Sequence, residues 1–408
     1  MKKYIIIGNG TAAVGAIEGI RSVDKTGEIT VISEENHHVY SRPLISYYLE
    51  NKTDLEQIKY RGESFYKDNA CRVIYGKKAV KIERTSVTLD DKTVLKGDKI
   101  CVCTGSSPFI PPVEGIDSVK NKFSFMTLDD ALALEKALTK TSRVLIVGAG
   151  LIGLKCAEGI RDRVASVTVC DLANRVLSSI LDNDCAGLVQ KHLEENRIRF
   201  MLSDTAERFE GNKAVMKSGE KVEFDVLVMA VGVRANTALL KEAGGEVNRG
   251  IIVDGKMETS LPGVYAAGDC SEGFDSSVGA NRVLAILPNA YIGGHTAGVN
   301  MAGGEAKFLN AIPMNSIGFF GLHIMSAGDY SGECSEERGE GTLKRFFVKG
   351  GHLKGYILIG DTERAGIYTA LIRDKTPLKE IDFELTKKLA SNLIFTKKIR
   401  RKKFGGVV

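Results

Sequence analysis

Two glycine-rich turns carry the residues best suited to chemistry. In the first, Gly8-Asn9-Gly10-Thr11-Ala12-Ala13 follows the apolar run Tyr4–Ile7. Gly8 suits a tight turn and Gly10 lets backbone amides approach a pyrophosphate. Ala13 stands where a small residue lets a helix lie against a strand. The amides and positive dipole end of such a helix attract phosphate. Glu34 and Glu35 close the next apolar strand, where a carboxylate accepts from ribose hydroxyls. The second turn, Gly148-Ala149-Gly150-Leu151-Ile152-Gly153, has all three glycines, and Asp171 ends the strand that follows. An acid there accepts from a free 2′-hydroxyl and repels a 2′-phosphate. Arg175 is close enough in sequence to pair with such a phosphate.

Other reactive residues are less clear. Arg42-Pro43 follows the first acidic strand end, and a guanidinium there reaches a phosphate or an electron-rich ring, or simply stays at the surface. His37-His38 has no carboxylate or cysteine at metal-ligand spacing and reads as loop; no metal is expected. Eight cysteines, at 71, 101, 103, 156, 170, 185, 270 and 334, form no CxxC pair. Several lie in apparent strands or helices, where cysteine usually packs as a small hydrophobe.

The elements that must position these residues repeat. Unbroken apolar runs at 4–7, 100–103, 144–147 and 226–231 read as strands buried on both faces, as in a parallel sheet. Two of these runs end alike, in Thr104-Gly105 and Val231-Gly232. Residues 77–96 alternate as a hairpin with its turn at Asp90-Asp91-Lys92, and Pro108, Pro111 and Pro112 stiffen a crossover. The spacing predicts a capped helix from Thr127 to Thr139 and another around Leu188–Leu193. A strand ends in Gly268-Asp269, and a glycine- and alanine-rich helix opens at Pro288-Asn289-Ala290. From Phe308 the chain turns to short alternating strands and ends in the basic run Lys397–Lys403.

The chain has 408 residues, 43% hydrophobic and 26% charged, with a net charge of +5. That composition is globular and large enough for two or three domains. No apolar stretch approaches the ~20 residues of a membrane span, and the cysteine usage suits a reducing cytoplasm, so a cytoplasmic protein with no membrane span is expected. A basic, aromatic-lined surface is missing from the pattern, so nucleic acid is not expected as a partner.

Taken in order, Gly8-x-Gly10-x-x-Ala13, Thr104-Gly105, Gly148-x-Gly150-x-x-Gly153 and Ala267-Gly268-Asp269 resemble the two-dinucleotide-binding flavoproteins of the pyridine nucleotide–disulfide oxidoreductase superfamily. Tyr40-Ser41-Arg42-Pro43-Leu44-x-Ser46 is similar to its NADH:rubredoxin oxidoreductase and ferredoxin reductase-like branch. The resemblance implies an α/β fold of two Rossmann-like nucleotide-binding domains, the FAD domain interrupted by the NAD domain, with a C-terminal α+β interface domain. Its boundaries would be 1–110 and 236–305 for FAD, 111–235 for NAD(P), and 306–408 for the interface domain with its basic tail. It implies FAD held by Gly8, Gly10, Thr11, Ala12, Ala13, Glu34, Glu35, Arg42, Pro43, Ser46, Val80, Thr104, Gly105, Gly268, Asp269, Asn289 and Ala290. NAD(H), rather than NADP(H), would be held by Gly148, Gly150, Leu151, Ile152, Gly153, Asp171, Arg175, Val231 and Gly232.

Two departures stand out. Segment 36–60 has no cysteine, so the thiol relay of the disulfide reductases is not expected. Where the family usually has a glutamate, Leu154 is followed by Lys155, with Glu158 one turn on as its substitute. Lys155, Arg42 and Glu158 are therefore the candidate catalytic residues, although the Lys155 stem could instead pack while its head reaches water. The expected activity is hydride exchange between nicotinamide and flavin N5, and single-electron exchange with an iron–sulfur protein: rubredoxin, ferredoxin or an iron–sulfur subunit. A subunit of a larger dehydrogenase, a thiol or peroxide reductase and a low-turnover regulatory flavoprotein remain alternatives, as do monomer and homodimer. The basic run reads as a solvated helix end or as a docking edge for an acidic carrier.

Overall fold

The computed structural model describes residues 1–363 and 365–388; the basic run 397–403 lies outside them. Five helices matter below: α1 (Thr11–Val23), α2 (Leu44–Leu49), α3 (Leu128–Ala137), α4 (Leu151–Ile160) and α5 (Leu287–Met301). Contacts divide the chain into two units. The first comprises Met1–Gly273 and Leu287–Phe308, the second Phe274–Ile286 and the described residues from Leu309 onward.

The first unit holds two five-stranded parallel sheets of the same layout. In one, Lys3–Ile7 lies between Glu28–Ile32 and Lys99–Val102, with Cys71–Ile74 and Val264–Ala266 outside them. In the other, Arg143–Val147 lies between Ser166–Asp171 and Val226–Met229, with Ile198–Leu202 and Lys122–Phe123 outside. The central strands read as continuous apolar runs because both faces are covered: Tyr4, Ile5, Ile6 and Ile7 are all buried. The chain passes between the two sheets twice. The two crossings pair antiparallel, Ser106–Pro108 against Val233–Ala235.

Backbones come unusually close where α1 packs on α5. A Cβ built on Gly15 would lie 2.2 Å from the Tyr291 carbonyl oxygen, and one on Gly19 2.2 Å from that of His295. From the other side, Gly294 and Gly298 would meet the Ala12 and Ala16 carbonyl oxygens at 2.0 and 2.2 Å. Only hydrogen fits at these four positions, so the glycines fix the helix separation.

Helix α3 begins where its sequence indicates. The Thr127 hydroxyl accepts from the Asp130 amide at 3.0 Å while the Asp130 carboxylate accepts from the Thr127 amide at 3.0 Å. Residues 79–96 differ from the single hairpin expected: Ala79–Glu83, Ser86–Leu89 and Val94–Lys96 form a three-stranded meander. Its extra turn, Arg84-Thr85, lacks the glycine or asparagine that signals tight hairpins.

The second unit is a five-stranded antiparallel sheet. Met314–Phe319, Leu322–Gly328, His352–Ile359, Thr342–Lys349 and Glu333–Gly339 follow one another across it. Helix Ala365–Arg373 covers one face, burying Tyr368 and Leu371 against Phe346 and Tyr356.

Candidate functional site

Gly8 and Gly148 turn the chain with φ of +111° and +118°, a region that other residues avoid. A Cβ on Gly8 would strike the Cys103 carbonyl oxygen at 2.1 Å, and one on Gly148 that of Ala230 at 2.2 Å. Each turn is thus pressed against the end of the neighbouring strand. Gly10 and Gly150 are the N-caps of α1 and α4, and neither helix has a side-chain cap. A Cβ built on either would meet no atom within 4 Å. Both helix N-termini therefore present unsatisfied amides to open space, where they require an acceptor. A pyrophosphate meets that requirement at each turn. Thr11, Ala12 and Ala13 form the buried first turn of α1; Leu151 is exposed, Ile152 half-buried and Gly153 buried at the start of α4.

Around the first turn the structure gathers the other segments implicated in FAD binding. A Cβ on Gly268 would lie 3.0 Å from the Ala12 methyl and 3.7 Å from that of Ala290, which places the Gly-Asp strand end between α1 and the start of α5. The Ser106 hydroxyl donates to Asp269 at 3.2 Å. Burial raises the Asp269 carboxyl above the usual range, with Ser106 and Arg42 opposing. Such a carboxylate gains from any further donor, as a ribityl hydroxyl would be. Asn289 and Ala290 lie in the first turn of α5. Thr104-Gly105 is locked by a residue the sequence did not single out. The Asn236 amide donates to the Thr104 carbonyl at 2.8 Å, and the Thr104 hydroxyl donates to the Asn236 carbonyl at 3.0 Å. The matched Gly105 and Gly232 endings were the available clue, because the segments after them pair.

Glu35, Tyr40 and Arg42 form one network. The Tyr40 hydroxyl donates to Glu35 at 2.6 Å and accepts from the Leu128 amide at 2.9 Å. Arg42 pairs with the other Glu35 oxygen and donates to the Met126 carbonyl at 3.1 Å. Segment 35–42 is thereby tied to the N-terminus of α3. Tyr40 opens the motif Tyr40–Ser46, but nothing in that spacing pointed to its bonds with Glu35 and Leu128. The Glu35 oxygens retain lone pairs for a further donor, since a carboxylate offers about four acceptor sites. Glu34 is exposed and pairs with Lys78 at 3.0 Å. Pro43 caps α2, and the buried Ser46 hydroxyl donates to its carbonyl at 3.1 Å. Val80 lies exposed on the meander strand Ala79–Glu83.

At the second turn, Asp171 is fixed beside the glycines by accepting from the Ala149 and Ala173 amides, each at 2.7 Å. Arg175 turns into its own loop instead, donating to the Leu181, Ser178 and Asn174 oxygens at 3.0, 3.1 and 3.2 Å. Val231 and Gly232 are exposed at the end of the paired strand. On the next turns of α4, Lys155 ion-pairs with Glu158, whose side chain is only 4% exposed.

Cys101 and Cys103 lie 3.5 Å apart at the strand end beside the first turn, but both are buried, and their mutual contact together with burial raises the Cys103 thiol. Cys156 and Cys270 are wholly buried, and burial pushes the Cys270 thiol up to about 11. A thiol of that kind is protonated near neutrality and a poor nucleophile. Among the described residues no group of three or more His, Cys, Asp or Glu is placed to hold a metal, and no helix is long and apolar enough to cross a membrane.

Two parallel sheets, each with uncapped helix amides over a glycine turn and an acid at or just past the end of the next strand, have the arrangement that suits two dinucleotides. The sequence agrees: residues 2–291 match pyridine nucleotide-disulphide oxidoreductase, and residues 313–376 match the rubredoxin NAD+ reductase C-terminal domain. The chain belongs to the pyridine nucleotide-disulphide oxidoreductase family, as a FAD- and NAD(H)-dependent oxidoreductase that carries a rubredoxin NAD+ reductase C-terminal domain. It is 33% identical over 396 residues to the NADH-dependent phenylglyoxylate dehydrogenase subunit epsilon of Aromatoleum evansii, covering 92% of this chain and 93% of that one. With the nitrite reductase [NAD(P)H] of Bacillus subtilis it shares 30% identity over 404 residues, covering 95% of this chain but 49% of the reductase. Its fold is that of the reductase in a covalent putidaredoxin reductase–putidaredoxin complex, with a TM-score of 0.87 at 21% identity, covering 98% and 97% of the two chains.

Proposed function

We propose that this protein is an NADH-dependent reductase that passes single electrons to a small iron–sulfur carrier. Residues 1–110 and 236–305 would form its FAD domain, 111–235 its NAD domain and 306–408 its interface domain. The observation that carries the reading is the rubredoxin NAD+ reductase C-terminal domain matched at 313–376. The solved reductase joined to putidaredoxin, whose fold this chain shares, agrees with it. The bound cofactors supply hydride exchange between nicotinamide and flavin and the release of single electrons.

The chain's own residues hold and orient. Gly10 and Gly150 with the amides of α1 and α4 would seat the two pyrophosphates, and Glu35 and Asp171 would take the riboses. Asp269 would orient the ribityl chain. Asn289 and Ala290 would bring the positive end of α5 to the flavin pyrimidine edge. Lys155 and Glu158 would face the nicotinamide. NADH would be preferred, because the Asp171 carboxylate disfavours a 2′-phosphate while Arg175 is occupied by its own loop. The test is anaerobic reduction of oxidised rubredoxin and ferredoxin by NADH plus catalytic amounts of the holoprotein. Transfer to at least one supports the reading. Rapid flavin reduction with transfer to neither overturns it.

A second reading is favoured by the near end-to-end match with a dehydrogenase subunit. The protein would then deliver electrons within a larger complex, and affinity purification from its native cell would recover the partner subunits at fixed stoichiometry.

A further inference from the structure

The Lys155–Glu158 pair does not stand alone on α4. Helix α2 lies directly against α4: a Cβ on Gly159 would meet the Ser46 carbonyl oxygen at 3.0 Å and the Leu49 Cβ at 3.3 Å. That contact presents Tyr47 to the lysine. The Lys155 ammonium lies 4.6 Å from the centre of the Tyr47 ring, and the Lys52 ammonium lies 5.8 Å from the same ring. Lys52 in turn pairs with Glu50. One ring from the FAD half therefore bears on two cations, each matched to a largely buried carboxylate.

A lysine stem has four rotatable bonds, so its ammonium is a poorly placed charge unless something fixes it. Glu158 offers attraction from its own helix. The Tyr47 ring adds attraction from across the seam, and an ammonium over an aromatic face is held more strongly where water is scarce. The Lys155 side chain is 15% exposed, which meets that condition.

We propose that Tyr47 is a positioning residue of the reductase, holding the Lys155 ammonium at the seam of α2 and α4 so that its charge acts on the reduced flavin. The proposal rests on the reading that α4 presents Lys155 to the cofactors. Its test uses flavin potential and not carrier reduction, so the two fail separately.

The measurement is the midpoint potential of bound FAD, by equilibrium dye titration of the holoprotein. Tyr47→Leu removes the ring and lowers the potential by about 30 mV, a ten-fold loss of preference for the reduced flavin in a two-electron couple. Tyr47→Phe keeps the ring and restores the wild-type potential. In a Lys155→Met background, Tyr47→Leu produces no further shift. If Tyr47→Leu fails to fold, phenylalanine and 3,4,5-trifluorophenylalanine at position 47 make the same comparison without loss of volume. Fluorination weakens the ring face and lowers the potential relative to phenylalanine. Equal potentials across the ring series, or an undiminished Tyr47→Leu shift in the Lys155→Met protein, overturn the proposal.

Discussion

At the residue scale, the two ends of the FAD site separate stability from binding in opposite ways. Gly10 has an ordinary extended backbone, φ −100° and ψ −166°, and open space around it. Gly10→Ala should therefore fold with a melting temperature within about 2 °C of wild type, a shift worth well under 1 kcal/mol. Its new methyl would occupy the space of the pyrophosphate, so the purified protein should carry little FAD, measured as flavin released per chain. Asp269 behaves conversely. Burial raises its folded pKa above the unfolded value, so its contribution to stability is full below about pH 4 and fades as pH rises through the folded pKa. Asp269→Asn should remove that decline, giving an apoprotein at least as resistant to urea at neutral pH as wild type. The same change replaces a charge-assisted hydrogen bond of about 1.5–3 kcal/mol. FAD affinity should fall roughly ten- to hundred-fold by fluorescence titration. A neutral-pH apoprotein weakened by the substitution would contradict this view of Asp269.

At the element scale, the separation of α1 and α5 would govern how one FAD meets two helix ends. The Cβ introduced by Gly298→Ala would lie 2.2 Å from the Ala16 carbonyl oxygen and 2.8 Å from the Ile20 amide, both backbone atoms. Because neither can swing aside as a side chain can, overpacking should cost about 3 kcal/mol, at the upper end for such changes. Thermal melts of apo- and holoprotein would measure it, and an unchanged melting temperature would show that the helices are free to separate. This packing was only partly legible in the sequence. Small residues in α5 announced a close approach, but nothing local said that α1 was the partner some 280 positions away. The glycine turns and the strands around them were legible because a buried parallel strand writes itself as an unbroken apolar run. The Arg84-Thr85 turn was missed because its residues are not those that tight hairpins favour. The roles of Tyr40 and Asn236 were not legible for a different reason. Each works through hydrogen bonds to residues that chain folding, and not sequence spacing, brings near: Leu128 for one, Thr104 for the other.

At the scale of the whole molecule, the proposed electron path would leave the flavin without a thiol. Contact with an acidic carrier then depends on surface charge, which mainly raises the rate of encounter. Six of the seven residues from Lys397 to Lys403 are lysine or arginine. Deleting residues 397–408 should lower kcat/KM for the carrier several-fold and flatten its dependence on ionic strength, while reduction of a small artificial acceptor continues as before. Equal loss with both acceptors would make the tail a folding element instead. The central claim, that two nucleotide sites in one chain join NADH to a bound flavin, has a more direct test. Purified holoprotein should be yellow and should release FAD on denaturation. In anaerobic stopped flow its flavin absorbance should bleach fully with NADH, at a rate that saturates with NADH and exceeds that with NADPH at equal concentration. A protein that binds no FAD, or whose bound FAD stays oxidised in excess NADH, would contradict it.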